Sequence, residues 1–157
     1  MKTNISQEER EKLLSAQQGE MDGVETYLTL AKVVQNKTDA ETFKKLAADE
    51  GRHAAVFRKY TGETLKPRRG QAIAASLAYR ILGKKLAYPI IAHFEYSAIE
   101  GYRKMMKDYP ELESVKQDEK RHGDTLKALA KNGEDNDVAL WPFILGAIAV
   151  LRLFRRR

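Results

Sequence analysis

The sequence predicts an all-α protein: a four-helix bundle of two helical hairpins joined by a long helical crossover, with an apolar C-terminal helix beyond it. Three observations carry that prediction. Ala, Leu, Lys and Glu dominate a chain of 157 residues with only 10 Gly and 4 Pro, a balance that favours helix. Apolar residues recur at three- and four-residue spacing along four long segments. The pentapeptide Asp-Glu-x-Arg-His occurs twice, at 49–53 and 118–122, each time inside such a segment.

The elements follow in order. Ser6-Gln-Glu-Glu9 reads as a capping box opening a first helix to about Asn36, with Leu13, Ala16, Gln17, Glu20, Val24, Tyr27, Ala31 and Val34 on its inward stripe. Thr38-Asp-Ala-Glu41 reads as a second box, starting a helix that turns Phe43, Leu46, Ala47, Glu50, His53 and Phe57 inward and ends at Thr61-Gly62. A basic segment containing Pro67 leads to a short helix from about Gly70 to Leu82. A third long helix is expected from about Pro89 to Asp108, with Ile91, Ala92, Glu95, Ala98, Ile99, Tyr102 and Met106 inward. Pro110 suits the first turn of a fourth, whose stripe is Leu112, Val115, Glu119, His122, Leu126 and Leu129 and which Asn132-Gly133 closes. The bundle is thus placed at 1–133, with its crossover at 62–88, and the tail at 134–157.

Composition narrows the functions. The absence of cysteine removes disulfides, thiolate metal sites and a cysteine nucleophile. MKTNISQEER opens polar, without the apolar run of a secretion signal, so the expected location is cytoplasmic. The net charge is +6, but six cations lie between Glu63 and Glu95 and four arginines in the tail, which leaves the bundle acidic. A nucleic-acid partner is therefore not expected.

The duplicated pentapeptide contains two of the three histidines. In each copy Glu and His stand at i and i+3, on one helix face, close enough to share a metal ion or neighbouring ions. Both pairs fall on apolar stripes, where an uncompensated carboxylate is costly and a divalent cation compensates it directly. The first helix of each hairpin adds a glutamate: GEMDGVETY (19–27) aligns with FEYSAIEGY (94–102), matching Glu20 to Glu95 and Tyr27 to Tyr102. Glu25 and Glu100 are the rivals, but five residues of helix turn them about 140° off the stripe. Four glutamates and two histidines facing one core suit iron or manganese better than a tetrahedral zinc site. Tyr27 and Tyr102, seven residues after their glutamates, read as hydrogen-bond donors to the carboxylates, or simply as core tyrosines. Asp49, Arg52, Asp118 and Arg121 lie off the inner face and read as a salt bridge between helices or subunits. His93 reads as a surface histidine.

With those residues in place, the chain resembles the ferritin-like di-iron superfamily and its rubrerythrin type, over roughly residues 8–130. QQGEMDGVETYLTLAK, ADEGRHAAVFRKYTGETLKP and AYRILGKKL carry a likeness to the erythrin domains fused to vacuolar-iron-transporter-type membrane proteins. The resemblance implies a ferritin-like bundle in which Glu20, Glu50, His53, Glu95, Glu119 and His122 hold two iron ions, or manganese. Glu50 and Glu119 would bridge, and Glu20 and Glu95 would be terminal. It also implies a homodimer. Typical rubrerythrins carry a further glutamate three residues after the third-helix ligand, associated with redox-linked ligand exchange; here that position is Ala98. They usually also carry a cysteine-ligated rubredoxin domain, so electrons here would come from a separate donor or from Fe²⁺ itself.

The implied activity is oxidation of Fe²⁺ by O₂ or H₂O₂, in iron homeostasis or oxidative-stress defence. Two alternatives stand beside it: a membrane-surface di-iron hydroxylase of a quinone-like lipid, and a non-enzymatic iron-binding module serving a membrane partner. The tail bears on both. VALWPFILGAIAVL, 138–151, is uncharged and followed by Arg152, Leu153, Phe154 and three arginines, short for a span. It is expected either to anchor the protein to the cytoplasmic face of a membrane or to pack on the bundle or a dimer partner. The basic crossover, Lys66 to Lys85, reads either as a segment resting on anionic lipid, which would support the anchor, or as an ordinary solvated connector.

Overall fold

The computed structural model describes residues 5–132, which form five helices and no strand. α1 (Gln7–Val33) and α2 (Lys37–Thr61) make one hairpin, α4 (Lys84–Met105) and α5 (Leu112–Lys131) the other, and α3 (Gly70–Leu82) lies in the crossover. α1 packs along α2 and α4 along α5; α3 lies against α1 and α4, and α2 meets α5 more briefly. The tail expectations fall outside the described residues. Among the described residues no helix is long and apolar enough to cross a membrane.

The Ser6 box forms as read: Glu9 N–H donates to the Ser6 hydroxyl and Ser6 N–H to the Glu9 carboxylate, both at 3.2 Å. The Thr38 box does not. Asn36 caps α2, its side-chain oxygen accepting from Thr38 and Asp39 N–H at 2.9 and 3.1 Å, so Thr38 lies inside the first turn. α1 correspondingly stops at Val33. Gly62 ends α2 at φ +70°, in the left-handed region open to glycine.

The third long helix begins five residues earlier than expected, at Lys84, and carries Pro89 inside it. Proline within a helix removes a bond to the carbonyl four residues back and crowds it. What offsets that is burial: Lys84, Ala87 and Tyr88 are 1%, 0% and 0% exposed. Lys84 Nζ donates to Asn132 O at 2.9 Å and stands 3.8 Å from Asp39, which accepts from the Tyr88 hydroxyl at 2.9 Å. The start of α4 is thereby tied to the end of α5 and the start of α2. At the other hairpin, Pro110 precedes α5, its carbonyl accepting from Glu113 N–H at 3.1 Å.

The core is divided in two. Tyr27, Leu30, Phe43, Leu46, Tyr88, Ile91 and Leu126 belong to one apolar cluster; Leu13, Phe57, Tyr102, Tyr109, Leu112 and Val115 form the other. Along each of α1, α2, α4 and α5 the chain passes from one cluster to the other through a polar position, buried at Glu20, Glu50 with His53, and Glu119 with His122, and half-buried at Glu95. A polar layer thus lies between two hydrophobic ones.

Candidate metal centre

All six residues singled out in the sequence meet in that layer. Glu20, Glu50, His53 and Glu119 bring one ligand atom each within 4.8 Å of one another, and Glu50, Glu95, Glu119 and His122 do the same. Glu50 and Glu119 belong to both groups. The two imidazoles lie stacked, 5.5 Å between centroids. Glu25 and Glu100 stay outside: Glu25 is 3.7 Å from Arg69, and Glu100 pairs with Arg103 at 3.1 Å. His93 is exposed.

The contacts cross between hairpins. His53 Nδ1 of α2 lies 3.0 Å from Glu119 Oε1 of α5, and His122 Nδ1 of α5 lies 2.9 Å from Glu50 Oε1 of α2. Yet all four atoms are buried without a properly directed hydrogen bond. Buried polar atoms are nearly always satisfied; here the nitrogen and oxygen of each pair face one another across the hairpins instead, an arrangement that a bound cation would satisfy.

The tyrosines cross as well. Tyr27 of the first hairpin donates to Glu95 of the second, and Tyr102 of the second donates to Glu20 of the first. Burial, and then the surrounding carboxylates, push both phenols well above their ordinary pKa, so both stay protonated as donors. Each tyrosine fixes the free oxygen of an outer carboxylate.

Sequence reasoning missed what the aspartates do. The bridge expected between helices is present, Arg121 meeting Asp49 at 2.7 Å. But Asp118 also faces His53 Nε2 at 3.1 Å, and Asp49 faces His122 Nε2 at 3.2 Å. In this geometry each imidazole presents Nε2–H to an aspartate of the opposite hairpin and turns Nδ1 toward the cluster. The signal was the duplication of the whole pentapeptide, aspartate included, where Glu-x-x-His alone would have served the ligands. Gly23 was also missed. It leaves α1 open where a Cβ would stand 2.6 Å from Glu50 Oε2.

Crowding four carboxylates and two imidazoles into one layer shifts how its groups titrate. Burial, then the charges of Glu20, Glu119 and Glu95, drive Glu50 well above the carboxylate range. Burial raises Glu119 to about 9. Burial disfavours the charged form of His53, but Glu119 and Glu20 outweigh it and lift its pKa to about 10. Burial pushes Glu95 upward too, and the pull of His122, Glu119 and Tyr27 brings it below its ordinary value.

A cleft of about 520 Å³ opens between α1 and α4, with Ala16, Ala98, Gly101 and Tyr102 among its walls. Tyr102 stands between this cleft and Glu20. Ala98, where a typical rubrerythrin would carry a carboxylate, contributes only a methyl to the wall.

A family model of the rubrerythrins matches residues 11–130, well over half of the chain. The chain belongs to the rubrerythrin family. No curated protein and no solved structure matches it. Rubrerythrins bind a di-iron centre, and the carboxylate and histidine cluster of this rubrerythrin domain could hold one.

Proposed function

We propose that this rubrerythrin domain is a di-iron carboxylate protein that oxidises Fe²⁺ with O₂ or H₂O₂. The observation that carries the reading is the doubled, crossed cluster: two adjoining groups of ligand atoms share Glu50 and Glu119. Four atoms of that layer are buried without hydrogen-bond partners. Iron held by these residues would supply the redox chemistry. With Fe²⁺ as substrate and H₂O₂ as oxidant, two Fe²⁺ give one electron each, and two protons complete two waters.

The chain's own residues shape the rest. Glu20, Glu50, Glu95 and Glu119 carry the negative charge that favours the more highly charged product ion. Asp118 and Asp49 hold the imidazoles in the tautomer with Nδ1 free. Tyr27 and Tyr102 keep the outer carboxylates from swinging, and the apolar layers on either side exclude water. The cleft beside Tyr102 is wide enough for a small oxidant, and Ala16, Ala98 and Gly101 are among its walls. The likeness to transporter-fused erythrin domains supports a place in iron handling at a membrane.

The test is metal content followed by turnover. Protein purified from iron-supplemented cells, with Glu50→Ala/Glu119→Ala beside it, is expected to carry two iron ions per chain, lost in the double variant. Wild type should then oxidise many equivalents of Fe²⁺. Stoichiometric oxidation without turnover would assign the chain to iron binding alone. Metal unaffected by the double variant would refute the centre.

A further inference from the structure

The described surface exposes large apolar side chains on both helices of the α3–α4 pair. Ile73 (62% exposed) and Leu77 (53%) stand one turn apart on α3, and Leu86 (54%), Ile90 (46%) and Phe94 (59%) repeat at four-residue spacing on α4. Gly83 alone separates the helices, at φ +69°, and α3 packs against α4. A groove of about 380 Å³ lies between the two helices, with Ala74 and Ala78 of α3 and Ile90 and Phe94 of α4 among its walls. Single exposed apolar residues are ordinary on a soluble surface; five on two helices packed together, with an apolar groove between those helices, mark a contact face.

The surroundings of that face are basic. No acidic residue occurs between Glu63 and Glu95. Arg69 lies one turn before Ile73, Arg80 one turn after Leu77 and Lys85 beside Leu86, all three exposed. The carboxylates that α1 sends toward the crossover are engaged, Asp22 with Arg68 at 2.7 Å and Glu25 near Arg69 at 3.7 Å.

We propose that the α3–α4 face rests on an anionic lipid bilayer, its apolar stripes in the interface and its cations among the headgroups. The charge pattern chooses this occupant. A second copy placing the same face against this one would bring two basic rims together. Residues 138–157 carry four arginines and no acid, so they too would meet charge of their own sign. An anionic headgroup layer is complementary to the rim, and the acyl boundary to the stripes. The proposal needs no metal and stands apart from the redox reading.

Because the chain has no cysteine, a single reporter can be placed at will. Leu77→Cys and, separately, Phe94→Cys in the full chain would carry an environment-sensitive nitrobenzoxadiazole label, with Ala55→Cys on α2 as reference. Vesicles of phosphatidylcholine with one-third phosphatidylglycerol should shift emission to the blue at 77 and 94 and leave 55 unchanged. On neutral phosphatidylcholine, binding should be about a hundredfold weaker, as loss of about three basic headgroup contacts implies. Vesicle binding with silent labels at 77 and 94 would overturn the proposal, because another part of the chain would then be the anchor. A blue shift without vesicles that grows with protein concentration would assign the face to a second copy. One present at every concentration would assign it to the chain's own C-terminal segment. Either overturns it.

Discussion

Replacing Asp118 by Asn keeps the shape of the side chain and removes the charge that faces His53 Nε2 at 3.1 Å. The imidazole then loses the partner that fixes its tautomer, and metal affinity should fall about tenfold to a hundredfold. Asp49→Asn should do the same on the His122 side. A Co²⁺ titration read by its absorbance checks both, and unchanged affinity would reduce the aspartates to ion-pair partners of the arginines. Gly23 offers a different test. In Gly23→Ala the new methyl meets Glu50 Oε2 at 2.6 Å and Cγ at 3.2 Å, whereas nothing lies within 4 Å of a Cβ at Gly19. The end of a glutamate can swing away at little cost to the fold, so Gly23→Ala should melt near wild type yet bind metal poorly. Gly19→Ala should bind normally and gain up to about 1 kcal/mol of helix stability. Equal metal binding by both would remove Gly23 from the site.

The helices show where sequence signals decide and where packing does. Periodicity was enough to place five helices and to put six chemically distinctive residues on inward faces, because a stripe is a property of one segment. The α2 start was ambiguous: Asn36 and Thr38 both satisfy the local rules, and the backbone chooses Asn36. Asn36→Ala should therefore cost about 1 kcal/mol and Thr38→Ala markedly less, as thermal melts would show; the reverse order would restore the Thr38 box. Pro89 argued for a later α4, and locally the argument was sound. It failed because Lys84 is buried against Asn132 and Asp39, partners 48 and 45 positions away that no window of sequence contains. The Asp–His pairs were invisible for the same reason. Each aspartate sits off its own helix's inward stripe, and only the approach of the opposite hairpin gives it a histidine.

At the scale of the molecule, the polar layer sets how stability responds to pH. Glu119, raised to about 9 from 4.5, and His53, raised to about 10 from 6.5, hold more protons folded than unfolded. The stabilisation from such groups is complete below their unfolded pKa and drains as pH climbs toward the folded value. Glu95 and Asp49, held below the carboxylate range, act in the opposite sense but only in acid. The metal-free bundle should therefore melt at lower temperature near pH 9 than near pH 6. Divalent metal competes with the same protons, so the rise in melting temperature on adding Mn²⁺ should be larger at the higher pH. A melting temperature that is flat with pH in the metal-free protein, or a metal gain that shrinks as pH rises, would contradict the protonated cluster.

The phenol–carboxylate and aspartate–imidazole contacts that join the hairpins come in pairs with the halves exchanged: Tyr27 to Glu95 and Tyr102 to Glu20, Asp118 to His53 and Asp49 to His122. Neither hairpin holds a complete set by itself, but each holds what the other lacks. A chain of half the length, pairing with its own copy about that axis, would assemble the same six groups from two identical pieces. The present chain has the form of such a pair written in tandem. Once joined, the halves were free to part ways: Gly23 makes room for a carboxylate at the position where its counterpart, Ala98, walls a cleft.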